Sequence, residues 1–239
     1  MISGSLILVA TGDHENYVID PKSTASCSSL PSYPLSTARS VGGILNNAPL
    51  ICGGHVSSPW AFHSECYIHD KSSNSWRLHA NLKTKRYDSS IAPVNGGLWL
   101  TGGTDGQTVL SSTELVYPNG TVLNGPNLPA PRQGHCVVTL HNGLVMIIGG
   151  YPGHKSVITI DPVNNLFNTG PSTNYGRWQS ACTLFYSPMH DNRPVVLTVG
   201  GLRQTTSEIY DYTVASSWVK CKYVIFSYWI CIVHRDWYY

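Results

Sequence analysis

LPAPRQGHCVVTLHNGLVMIIGG, residues 128–150, contains a proline-flanked arginine, two apolar runs joined by Asn142-Gly143, and a closing pair of glycines. Asn-Gly between two such runs signals a tight hairpin, where positive φ is needed. The runs at 136–140 and 144–148 therefore read as antiparallel strands. The second run is apolar without alternation, so both of its faces are expected to be buried. One hairpin cannot bury two faces of its own. The question is whether the stretch recurs.

It does. Glycine pairs end apolar runs at Gly53-Gly54, Gly102-Gly103, Gly149-Gly150 and Gly200-Gly201, and Thr11-Gly12-Asp13 is a degraded fifth copy. Arginines at 39, 86, 132 and 177 form a second marker, each shortly before a strand-like run. A third marker follows the glycines: Glu15-Asn-Tyr17, Glu65-Cys-Tyr67, Glu114-Leu-Val-Tyr117 and Glu208-Ile-Tyr210, reduced to Ile160-Asp161 in one copy. A fourth is an aromatic or apolar residue in the next strand, at Trp76, Val122 or Leu123, Phe167 and Trp218. Each unit reads as four strands. Strand a follows the arginine, b runs into the glycines, c carries the Glu-x-Tyr element and d carries the tryptophan position. Asn95-Gly96-Gly97, Asn119-Gly120 and Asn142-Gly143 supply tight turns.

Four-stranded units of this length bury two faces by stacking around an axis, which is the β-propeller solution. The glycine pair suits a place where backbones crowd and φ is positive. The aromatic residue of strand d is expected to pack between units, and the arginine to tie neighbouring units through backbone carbonyls. The markers together resemble the kelch repeat. The resemblance implies an all-β, kelch-type β-propeller of four-stranded antiparallel blades over residues 5–219, with units at about 5–36, 37–83, 84–129, 130–174 and 175–219. About five units are visible, so the ring is expected to be incomplete. Residues 220–239 form an atypical tail, either non-homologous sequence on a truncated propeller or, at 223–233, a strand that closes a five-bladed ring.

Several function classes lose support. Net charge is +2 with 12% charged residues, too mild for a nucleic-acid surface. No segment reaches the length of a transmembrane helix, so no membrane span is expected. The first residues lack the basic start and apolar length of a signal peptide. Phosphate-binding loops, nucleophile elbows and paired-histidine metal motifs are absent from the sequence. His63, Glu65, Cys66 and His69 bring ligand types together, but strand alternation sends 63 and 66 to opposite faces. No metal site, cofactor or catalytic residue is expected.

Seven cysteines, with no C-x-x-C, do not make a tidy disulfide framework. A Cys52–Cys66 or Cys27–Cys66 bridge is plausible from their strands, whereas Cys136 and Cys182 are expected to be free, buried thiols. Asn119-Gly120-Thr121 is a glycosylation sequon as well as a turn. These features lean toward an extracellular parent protein, with the cytoplasm second.

The resemblance implies a non-catalytic binding scaffold whose loops on one face grip a protein partner, or a glycan. Loops after the glycine pairs carry His55, Trp60, Asp105, Tyr151, His154 and Arg203. Loops before strand a carry Arg86-Tyr87, Arg132-Gln133 and Arg177-Trp178. Arginine and aromatic side chains are common interface anchors. The arginines recur with the repeat, so the varying Tyr87, Gln133 and Trp178 are the stronger contact candidates. Two other classes remain open through the same resemblance. One is a galactose-oxidase-like copper enzyme, which would need placed tyrosine, histidine and cross-linked cysteine. The other is the substrate-recognition propeller of a ubiquitin-ligase adaptor or an actin-binding protein, a family that carries BTB and BACK regions not seen here.

Overall fold

The computed structural model describes residues 7–10, 16–19 and 28–221, with side chains from residue 30 onward. The Thr11-Gly12-Asp13 copy, Glu15, Cys27 and the tail from 222 onward lie outside the described residues.

Strands form wherever the sequence carries its apolar runs. The first sheet joins β1 (Ile7–Ala10), β2 (Asn16–Ile19) and β3 (Ser28–Ser29). The second comprises β4 (Val41–Leu45), β5 (Ala48–Cys52), a projecting hairpin of β6 (His55–Ser57) and β7 (Trp60–Phe62), then β8 (Glu65–Asp70) and β9 (Ser75–Asn81). The third comprises β10 (Ser90–Val94), β11 (Gly97–Thr101), β12 (Thr113–Val116) and β13 (Val122–Asn124). The fourth comprises β14 (Cys136–Thr139), β15 (Val145–Ile148), β16 (Val157–Asp161) and β17 (Leu166–Gly170). The fifth comprises β18 (Ala181–Ser187), β19 (Arg193–Val199), β20 (Ser207–Tyr210) and β21 (Val219–Lys220). Every pairing within these sheets is antiparallel, between strands consecutive in the sheet.

The first strands β4, β10, β14 and β18 lie side by side in that order. Strand b is buried on both faces, as its unalternating composition requires. Every residue of β11 and β15 is buried. The core sits between sheets rather than within one. Leu50, Ile68 and Ala80 of the second sheet pack with Leu98, Leu100 and Val116 of the third. Trp99 meets Val145, Ile147 and Ile160 across the next seam. Trp218 of the fifth sheet is buried with Met146, Ile148 and Val157 of the fourth, the between-unit place expected of the strand-d aromatic.

The glycine pairs are the backbone side of these seams. Gly54, Gly103 and Gly150 donate their N–H to the carbonyls of Arg86, Arg132 and Arg177, each at the start of the next sheet (2.8, 2.9 and 2.8 Å). The glycine before each has φ of +64, +54 and +66°, and a Cβ there would sit 2.3, 2.3 and 2.5 Å from the same carbonyl oxygen. The arginine thus ties neighbouring sheets by its carbonyl. Its guanidinium stays within its own sheet: Arg86 Nη1 donates to Gly102 O (2.7 Å), Arg132 Nη1 to Gly149 O (3.0 Å) and Arg177 Nη1 to Gly200 O (2.9 Å).

Three sequence expectations are corrected here. Arg39 is not the equivalent of Arg86. The bridges Ala38↔His55, Tyr87↔Thr104 and Gln133↔Tyr151 align Ala38 with Tyr87 and Gln133, so Thr37 holds the arginine position. Thr37 Oγ1 donates to Gly53 O at 3.3 Å, a short side chain doing part of the guanidinium's work. Glu65 is likewise displaced. Leu100↔Glu114 and Thr198↔Glu208 correspond to Ile51↔Tyr67, so Tyr67 stands at the glutamate position of that sheet. Cys136 and Cys182 are also not free thiols. Cys136 opens β14 and Cys182 is the second residue of β18, in neighbouring sheets; their Cα atoms are 5.9 Å apart and they form a disulfide. The two cysteines are offset by one residue in register, and the side-by-side first strands β14 and β18 bring them within bonding reach. Cys52 and Cys66, opposite on β5 and β8, form the other disulfide.

Candidate functional site

The loops after strand b and the linkers before strand a meet at one end of the sheets, because strands b and a are antiparallel neighbours. The bridges from Ala38, Tyr87 and Gln133 to His55, Thr104 and Tyr151 stitch the two loop sets together. Beneath them lies a polar frame. Arg86 pairs with Glu114 (2.6 Å) and Arg177 with Glu208 (2.8 Å), all four side chains being at most 2% exposed. Glu114 also accepts the Lys83 and Thr84 N–H groups, and Glu208 those of Asn174 and Tyr175. Burial pushes the Glu208 carboxyl up, but hydrogen bonds from Asn174, Arg177 and Tyr175 outweigh it and hold the group below its usual range. Arg132 differs: Ile158 stands opposite Ile147 where the other two sheets carry glutamate. Burial without a carboxylate lowers the Arg132 pKa. His135, close by, is held neutral with a pKa lowered to about 3 by burial and then by the Arg132 charge.

Around the inner rim runs a backbone chain that sequence reading did not find. Asp88 N–H donates to Arg39 O (3.1 Å), Gly134 N–H to Asp88 O (2.6 Å) and Gln179 N–H to Gly134 O (2.6 Å). All four residues have positive φ, between 52 and 58°. The Asp88 carboxylate accepts from Arg39 Nη1 at 3.1 Å and from Gln179 Nε2 at 3.3 Å, linking linkers far apart in sequence. Burial raises its pKa, with Arg39 opposing. The available signal was the recurrence of turn-compatible positions two residues after Thr37 and the three arginines. Only glycine among them announces positive φ by itself.

Aromatic side chains cover this frame in two groups. His55 stacks on Trp60 (5.6 Å between ring centroids) and meets Tyr87 (4.6 Å), which stacks on Phe62 (5.5 Å). Phe62 lies against Gly106 of the next sheet, where a Cβ would be 2.3 Å from the ring. Tyr151 meets Trp178 (5.9 Å) and His154 (5.6 Å), and Trp178 lies across Gly134 in the same way. Trp60 is 68% exposed and Tyr151 44%. Burial, then the nearby Arg39 charge, lowers the His55 pKa.

The structure therefore separates the sequence candidates. Arg86, Arg132 and Arg177 are buried supports. Tyr87, Tyr151 and Trp178 stand in the aromatic groups above them. Gln133 is half-buried and pairs through its backbone with Tyr151. Asp105 spends its carboxylate inside its own loop, accepting the Gln107 and Thr108 N–H groups, and the Thr108 bond leads in holding its pKa down. Phe62 was missed because nothing in its local sequence separates it from a core residue. Exposed charges in these loops and linkers are mainly cationic: Arg39, Lys83, Lys85, Lys155 and Arg203. His63, Glu65, Cys66 and His69 do not converge, since Cys66 is in a disulfide and His69 bonds Asn74. Among the described residues no three His, Cys, Asp or Glu side chains group as metal ligands, and no helix is long and apolar enough to cross a membrane.

The architecture is that of a kelch-type β-propeller. The solved structure of YjhT superposes with a TM-score of 0.77 over 92% of this chain and 81% of that one, at 12% identity, a likeness of fold alone. No family model matches the chain. An F-box/kelch-repeat protein of Arabidopsis thaliana is 36% identical over 90 residues, covering 36% of this chain and 23% of its own length. The kelch repeat and BTB domain-containing protein 1 of horsepox virus is 26% identical over 189 residues, covering 75% of this chain and 32% of its own length. The chain is similar in sequence to kelch-repeat proteins. It spans a third or less of the length of these two relatives.

Proposed function

We propose that the chain is a non-catalytic recognition scaffold that holds a protein partner on the loop end of its sheets. The observation that carries this reading is the contrast between layers. Buried arginine–glutamate pairs and the rim chain fix the loops, while Trp60, Tyr151 and Trp178 stand above them on rigid supports. Aromatic anchors on a pre-organised surface lose little entropy on binding. The cationic excess favours a partner segment rich in carboxylates beside apolar groups. A glycan could use the same aromatic faces.

A second reading, substrate recognition within a ubiquitin-ligase adaptor, draws on relatives whose names join kelch repeats to an F-box or a BTB domain. The two disulfides favour the first reading, since such bonds persist in oxidising compartments.

The test is cross-linking of the chain to its captured partners, compared among variants. Trp60→Ser and Trp178→Ser should each lose one shared protein partner by at least tenfold (about 1.4 kcal/mol). Met189→Ser, at an 89% exposed residue beyond the other end of β18, should keep it. A partner retained by both tryptophan variants would reject this face.

A further inference from the structure

We propose that Asn119 is an N-glycosylation site, at the opposite end of the sheets from the recognition loops, in a protein that folds in an oxidising secretory compartment. Asn119-Gly120-Thr121 meets the acceptor rule, but Asn-Gly is also a good turn, so the sequence leaves two explanations. The structure separates them. The β12–β13 turn is closed by Gly120 N–H to Tyr117 O (2.9 Å) and Tyr117 N–H to Thr121 O (3.0 Å). Asn119 Oδ1 accepts the Thr121 N–H at 3.0 Å. A carboxylate can make that last bond equally well, and the strand c to strand d turns of the other three four-stranded sheets use one. Asp70 Oδ1 accepts from Ser72 N–H (2.8 Å), Asp161 from Val163 (2.9 Å) and Asp211 from Thr213 (3.1 Å). Turn geometry therefore does not require an amide, nor a threonine two residues on.

Both sequon side chains are available. Asn119 and Thr121 are exposed, and among the described residues nothing bonds Asn119 Nδ2 or Thr121 Oγ1. The turn rests on β9 through Gly120, where a Cβ would be 2.9 Å from His79 O, so Asn119 is on its free side. A glycan here leaves Trp60, Tyr151 and Trp178 uncovered.

The second observation is the cysteine pairing. Cys52–Cys66 ties two strands of one sheet, and Cys136–Cys182 ties two sheets. Both belong to a compartment that forms and keeps disulfides. In eukaryotic cells that compartment also transfers glycans to asparagine. The proposal does not depend on what the recognition loops bind.

The test is secretion of the full 239-residue chain from animal cells behind a cleavable leader, followed by unreduced peptide mapping. Most molecules should carry a glycan on the Asn119 peptide. Peptide N-glycosidase F in ¹⁸O-water should leave labelled aspartate at 119, which distinguishes release from spontaneous Asn-Gly deamidation. Cystine peptides 52–66 and 136–182 should be recovered. Asn119→Asp, which keeps the turn bond, and Thr121→Ala should each abolish the glycan without lowering the thermal midpoint of the deglycosylated protein. An unmodified Asn119 in secreted, disulfide-bonded chain overturns the proposal. So does recovery of all four cysteines as thiols, or failure of the chain to leave the cell.

Discussion

A buried guanidinium is stable where a carboxylate answers it, and only two of the three repeat arginines have one. Arg86 and Arg177 each pair with a glutamate of the same sheet, while in the Arg132 sheet Ile158 occupies the position of that glutamate. Replacing Arg86 or Arg177 by methionine strands a buried glutamate, at a cost of roughly 3–5 kcal/mol. Arg132→Met removes an unpaired buried cation with one strong carbonyl contact and should cost only about 1–2 kcal/mol. Urea unfolding midpoints of the three variants give the order. An Arg132→Met loss equal to the others would refute the pairing argument. The arginines were legible as a period, but their role was not. Arginine spacing placed Arg39 in the series, and only the strand register revealed Thr37 in its stead.

The seam between sheets is set at the scale of the strand end. Two positive-φ glycines close β5, β11, β15 and β19, and at Gly53, Gly102 and Gly149 the first has no room for a Cβ against the next sheet's arginine carbonyl. Gly102→Ala should therefore disrupt a seam. Gly96→Ala, at a turn of similar φ (+74°) with nothing within 4 Å, carries only the left-handed backbone cost of about 1–2 kcal/mol. The Gly102 variant should lose at least twice as much in thermal or denaturant unfolding. Equal losses would mean that conformation, and not the close approach, explains the glycine. The four strands per unit, the Asn95-Gly96 turn and the doubly buried strand b were all readable from residue type and period. The β6–β7 hairpin was not, because its aromatic residues are ordered by the neighbouring loop, against Gly106, and not by local alternation.

At the scale of the whole molecule, buried histidines make stability depend on pH. His135 has a folded pKa of about 3 against an unfolded value near 6.5, and the His55 pKa is lowered as well. The unfolded chain therefore binds more protons below about pH 6.5. Stability contributed by the neutral imidazoles is fully present above that pH and is lost as pH falls toward the folded values. Between pH 6.5 and 4.5, His135 alone should remove roughly 2–3 kcal/mol. His135→Gln should flatten that slope while His55 maintains part of it, and urea midpoints across the range measure it. An unchanged slope in the variant would show that His135 is not titrating between the two states.

What the sequence determined by itself was the repeat, and through it the class of fold. Strand propensity, turn glycines and unalternating apolar runs are local properties, and a sheet with two apolar faces has to be covered by its neighbours. What only the tertiary structure decided was which positions are equivalent and which side chains meet: Thr37 for an arginine, Cys136 with Cys182, Asp88 between Arg39 and Gln179, and Phe62 on Gly106. Each of these joins different strands or sheets, with partners brought into reach by strand register and the stacking angle between sheets. Those quantities are fixed by packing, which no local stretch of chain encodes.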